Sequence, residues 1–195
     1  LDEAPAKSTE SDLPLARIAE IKSLDHGELR KGLPARIRGV VTHFSGDSLF
    51  LQDGESSIYV RFGELKFSEP LKLSDYWEIE GKTFVEFAPS VQATAGRRLG
   101  PGTMPEPLRP TWDQIMNGSL DTRYVELKGV IISTEGFSME LLTHAGKIKV
   151  TSDLDPSLSK QNENAVIRLR GCAIPGRDEA TLQVRSGRLW LCSAS

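Results

Sequence analysis

The chain has 195 residues, 38% of them hydrophobic and 26% charged, with 17 Gly, 11 Pro and two Cys, which excludes a collagenous, disulfide-dense or wholly disordered protein. Such a length holds one large domain or two of roughly 100 residues each. Lys and Arg number 24 against 27 Asp and Glu, a net charge of -3, so no global positive field draws the chain to nucleic acid or anionic lipid.

Residues 1–13 are charged, small and polar without apolar periodicity, and are expected to form a solvated tail. The chain opens on Leu1, not Met, which leaves room for a removed signal or anchor, and no stretch approaches the ~18 apolar residues of a membrane span. Leu15, Ile18, Ile21 and Leu24 recur every third residue and predict a short amphipathic helix. After Gly32 the period changes to two: Ala35, Ile37 and Val41 share one face, Arg36, Arg38, Val40 and Thr42 the other. The run Leu49 to Leu51, the turn dipeptide Asp53-Gly54 and the run Ile58 to Phe62 predict a hairpin. Trp77, Ile79 and Gly81 mark a fourth strand, and the stretch around Pro89 a turn into a fifth.

The second half repeats the first. Gly39 falls on Gly129, Ile58-Tyr59-Val60 on Ile148-Lys149-Val150, and Gly81 on Gly171, each at an offset of 90. Gln92 and Gly96 fall on Gln183 and Gly187 at 91, which calls for one inserted residue in the preceding turn. The Pro/Gly-rich stretch from Leu99 separates the copies, and Trp112, Ile115 and Met116 repeat the helical lead-in. We therefore expect an all-β chain with a first barrel over 14–98, a linker over 99–110 and a second barrel over 111–195. A glycine interrupting the apolar face of the first strand suits the sharp curvature of a five-stranded OB barrel, with a five-stranded sandwich as the alternative. Pro70 and Pro156 break the segments between the third and fourth strands, where the usual OB helix is expected to be reduced to a loop. Ile37 with Leu127 and Ile79 with Leu169 are expected in matching cores.

The runs Leu33 to Thr42, Leu49 to Asp53, Ile58-Tyr59-Val60, Glu78 to Gly81, Phe87-Ala88-Pro89 and Gly118 to Asp121 resemble the tandem OB-like extracytoplasmic regions of bacterial sensor histidine kinases and related signalling proteins. The resemblance covers roughly 18–190. It implies a non-catalytic input module outside the cytoplasmic membrane, ahead of a membrane helix and a cytoplasmic kinase. It implies a small-molecule or protein signal as partner, and membrane contact only through a tether outside this chain.

Chemistry-bearing motifs are sparse. His26, His43 and His144 are isolated from one another and from any Cys pair, and Asp47 and Asp53 near His43 read as turn residues, so no metal is expected. Gly96, Gly100 and Gly102 match no phosphate-loop pattern, and there is no GxSxG elbow. No cofactor and no catalytic constellation follow. Glu78 and Glu80 are expected to face solvent. Cys172 and Cys192 admit either a disulfide or two reduced thiols; a hairpin turning near Arg177 would set Cys172 opposite Gln183 and leave Cys192 distant.

An OB barrel can also bind single-stranded nucleic acid or oligosaccharide by stacking rings on strands two and three. Arg38, Phe50, Tyr59 and Arg61 could share such a face, whereas their partners at offset 90 contain no aromatic residue. The favoured expectation is that those aromatics pack against the other barrel or the linker. Residues 1–102 carry 13 basic and 16 acidic groups and the remainder 11 and 11, a balance that argues against a nucleic-acid partner.

Overall fold

In a computed structural model, residues 13–152, 155–177 and 184–191 are described. Two short helices, α1 (Ile18–Ser23) and α2 (His26–Leu29), precede five strands: β1 (Pro34–Ser45), β2 (Ser48–Asp53), β3 (Ser56–Arg61), β4 (Asp75–Val85) and β5 (Pro89–Pro101). These close in the order β1-β2-β3-β5-β4, with only the β3–β5 contact parallel. After α3 (Trp112–Met116), the order repeats with β6 (Tyr124–Glu135), β7 (Ser138–Leu142), β8 (Lys147–Thr151), α4 (Pro156–Gln161), β9 (Val166–Arg177) and β10 (Val184–Leu191). The chain is two closed five-stranded OB-like barrels.

Closure depends on the paired glycines. A Cβ at Gly39 would stand 2.7 Å from the Gln52 carbonyl oxygen, and one at Gly129 would stand 2.5 Å from that of Leu142. Gly81 and Gly171 meet the carbonyls of Gln92 and Trp190 more closely still. Only glycine lets the long first and fourth strands bend past their neighbours. Alternation fills each barrel: Ile37, Val41, Leu49, Leu51, Ile58, Val60, Trp77, Ile79 and Val91 form the first core. Val125, Leu127, Ile131, Leu141, Ile148, Val150 and Leu189 form the second, with Leu169 only partly buried against it.

Four expectations are corrected. Val91 lies beside Val60 as Leu189 lies beside Val150, so the final strands match at an offset of 98, not 91. The same register sets Cys172 opposite Trp190 instead of Gln183. Cys172 is buried, and Cys192 lies outside the described residues. The loop expected after β8 contains α4, because Pro156 occupies the first turn, where its missing N–H costs nothing, and Asp155 caps the Ser157 N–H at 2.9 Å. β5 extends to Pro101, into the expected linker, with Gly100 paired to Tyr76 and Pro101 to Asp75.

Candidate binding cleft between the barrels

The barrels join through the outer face of β2–β3. Phe50 and Tyr59 stand opposite each other in that hairpin, and both point away from the first core. Trp190 of β10 stacks on Phe50 with ring centroids 5.9 Å apart and planes 5° apart. His43 from β1 packs against both rings, at 5.1 Å from each, and its Nε2 is buried without a hydrogen-bond partner. Met104, Tyr124, Cys172 and Ile174 complete this third apolar cluster.

Polar contacts frame the seam. The Thr122 hydroxyl donates to Ser57 Oγ at 3.0 Å, the Ser57 hydroxyl to the Asp121 carbonyl at 3.2 Å, and the Tyr124 N–H to Gln52 Oε1 at 3.3 Å. The tip of the β2–β3 hairpin is thus tied to the segment that leads into β6.

Where the two surfaces diverge, they leave a cleft of about 450 Å³. Phe50, Tyr59, Arg61 and Phe87 line it from the first barrel, Ile174, Arg188 and Trp190 from the second. Phe87 is exposed, Tyr59 and Trp190 are half-buried, and Phe50 is buried. Arg61 lies over the Phe84 ring, 5.6 Å from its centroid, and bridges to Glu86 at 2.7 Å. A neighbouring hollow shares Tyr59, Phe87, Asp121 and Thr122 and continues to Lys22 and His26. The Lys22 ammonium donates to the Ser57 carbonyl, and burial pushes its pKa down, with Asp121 opposing. Such a volume suits a ring-bearing ligand held between aromatic walls.

Of the four residues expected on one face, Phe50, Tyr59 and Arg61 meet at this cleft. Arg38 does not. It lies on β1 opposite Glu78 of β4 and bridges to that carboxylate at 2.7 Å. Glu78 is itself a correction to the expected solvent-facing pair. It is 3% exposed because Arg97 from β5 covers it from the other side, also at 2.7 Å. Glu80 is partly exposed and bridges to Arg36. Phe87, Ile174, Arg188 and Trp190 are cleft residues that sequence reasoning missed. The available signal for Trp190 was a large aromatic ring in the last strand, where the first barrel has Gln92 at the matching position. Among the described residues no group of His, Cys, Asp and Glu could hold a metal ion.

No family model and no curated protein matches the chain. Solved structures do. The Schizosaccharomyces pombe Stn1–Ten1 complex matches with a TM-score of 0.38 and 20% identity, over 46% of this chain and 79% of that one. The Escherichia coli protein ygiW matches at 0.37 and 18%, over 44% and 89%. A murine DNA-binding protein bound to double-stranded DNA matches at 0.38 and 9%, over 80% and 92%. The OB-like barrel of the sequence resemblance stands with the strand order. The sensor-kinase assignment rests on the resemblance alone. One expectation is corrected: a net charge of -3 was set against a nucleic-acid partner, and that inference does not hold. Net charge sums over a whole chain and does not describe any one face of it.

Proposed function

We propose that this chain is a non-catalytic OB-type module that binds single-stranded nucleic acid, seating bases in the inter-barrel cleft. The observation that carries the reading is the convergence of Tyr59, Phe87 and Trp190, with Arg61 and Arg188, on one open cleft of about 450 Å³. Bases stack on aromatic rings regardless of sequence, and guanidinium groups at the rim can meet the backbone. Phe87 is the cleanest probe, being exposed and outside the packed clusters. Titration of fluorescent single-stranded DNA and RNA should show binding that weakens roughly 5- to 150-fold in Phe87→Ala, the equivalent of 1 to 3 kcal/mol for one stacked base. Absence of binding by the wild type would remove the nucleic-acid reading. An oligosaccharide that binds without salt dependence and loses affinity in the same variant would replace it.

The Phe50–Trp190 stack supports a second reading, an extracytoplasmic input module answering to a protein signal, since a partner wedged into the cleft would act on the packing of one barrel against the other. Fractionation of cells expressing the complete gene product tests it: recovery from the cytosol alone would discard this reading.

A further inference from the structure

The outer faces of the two barrels differ at equivalent positions. In the first, Arg36 stands opposite Glu80 and Arg38 opposite Glu78, two complementary rungs between β1 and β4. In the second, Glu126 stands opposite Arg170, but Lys128 stands opposite Arg168. Like charges directly across an antiparallel ladder are destabilising. Arg109 adds a further cation: its Nε donates to Glu126 at 3.0 Å, beside the Arg170 Nε at 2.9 Å and the Arg168 Nε at 3.6 Å. One buried carboxylate therefore organises three guanidinium groups whose side chains are 54 to 77% exposed. Counting Glu106, which acts on Arg170 from the linker, four cations face two carboxylates here. Arg109, Lys128 and Arg168 also border a hollow of about 270 Å³, with Trp112 and His144 on its wall.

We propose that this β6–β9 face is a phosphate-binding surface, on which Lys128 and Arg168 hold backbone phosphates of the single strand whose bases occupy the inter-barrel cleft. The proposal rests on the nucleic-acid reading above. An anion between Lys128 and Arg168 turns their repulsion into two attractions, and the carboxylate of Glu126 fixes the neighbouring arginines before any ligand arrives. β9 connects the two places. Arg168, Arg170, Cys172 and Ile174 alternate onto its outer face, and Ile174 lies in the cleft, about 20 Å from Arg168 along the strand. That distance is a small number of nucleotides.

The test is anisotropy of labelled oligothymidylate between about 50 and about 200 mM salt, with wild type, the double variant Lys128→Gln/Arg168→Gln, and Phe87→Ala. The double variant leaves Glu126 with Arg109 and Arg170, and removing a repulsive rung should keep it folded, which its thermal midpoint checks. Loss of two phosphate contacts should make the slope of log K against log salt shallower by about 1.4 and weaken binding roughly 25-fold at 0.1 M salt. Phe87→Ala should weaken binding without changing that slope. A double variant with the wild-type slope overturns the phosphate surface and leaves the cleft reading intact. If oligothymidylate fails to bind the wild type, the cleft reading falls, and an NMR titration with tripolyphosphate decides the surface independently. Shifts at the amides of 126–128 and 168–170 that vanish in the double variant uphold it; no shifts overturn it.

Discussion

The β2–β3 and β7–β8 hairpins occupy the same place in their barrels, yet one is covered and the other is open. Phe50 faces Tyr59 in the first, under Trp190 and His43. Glu140 faces Lys149 in the second, and Glu140 bridges to half-exposed Lys147 at 3.3 Å. Barrel interiors can repeat along the chain because each closes on itself, but a seam needs only one apolar face from each side. Trp190 comes from β10, so the second barrel offers a different surface to the joint from the one the first barrel offers. The two copies share a fold and divide the labour of contact.

The sharpest way to break this comparison is Phe50→Ala. Removing a buried aromatic should cost about 3 to 5 kcal/mol, where Glu140→Ala at the equivalent position should change stability by no more than about 0.5 kcal/mol. Chemical denaturation of both variants measures it. Equal effects would mean that the seam contributes nothing to stability.

Much of the fold was legible because it rests on local or self-repeating physics. The pairs Gly39 with Gly129 and Gly81 with Gly171 mark the same close strand crossings in both barrels. The final strand was misaligned because the chain from Gly171 to Leu189 is eight residues longer than that from Gly81 to Val91, and composition does not fix such a difference. Glu78 was assigned to solvent because alternation beside Ile79 was considered without Arg97, which arrives from another strand. Of the cleft, Phe50, Tyr59 and Arg61 could be found by their shared hairpin, whereas the covering Trp190 comes from a strand about 130 residues further along the chain. Contacts at that separation leave no periodic trace.

Next in size is the pair of carboxylates on β4. Glu78→Gln should cost on the order of 1.5 to 3 kcal/mol, since a buried acceptor loses charge-assisted bonds from two arginines. Glu80→Gln, with its single half-exposed partner Arg36, should cost about 0 to 1 kcal/mol. The same asymmetry sets the acid response. Hydrogen bonds from Arg97, then Arg38, hold the Glu78 carboxyl below the ordinary range, and Arg98 does the same for Asp75. A carboxyl depressed in the folded state contributes stability above its unfolded pKa, about 4.3 for Glu, and loses it as pH falls through the folded value. Calorimetry from neutral pH downward should show the thermal midpoint falling below about pH 4, and falling less steeply in Glu78→Gln. A Glu78→Gln profile parallel to the wild type would show that this carboxylate does not govern acid unfolding.

The smallest expected effect is also the most specific to the difference between the barrels. Arg38 and Lys128 occupy matching positions, each exposed and each central to a rung of its first strand. Arg38 faces Glu78, so Arg38→Gln should lower stability by about 0.2 to 1 kcal/mol. Lys128 faces Arg168, so Lys128→Gln should leave stability unchanged or raise it by a similar amount at low salt. Screening should shrink both effects, because both groups are solvent-exposed and a Debye length at 1 M salt is only about 3 Å. Opposite signs that converge on zero as salt rises would establish that the ladder charges, rather than strand propensity, separate the two positions. Equal losses at both would instead mean that the long aliphatic stems matter more than the heads, and Lys128→Met, which keeps a stem without the charge, would then restore the wild-type midpoint.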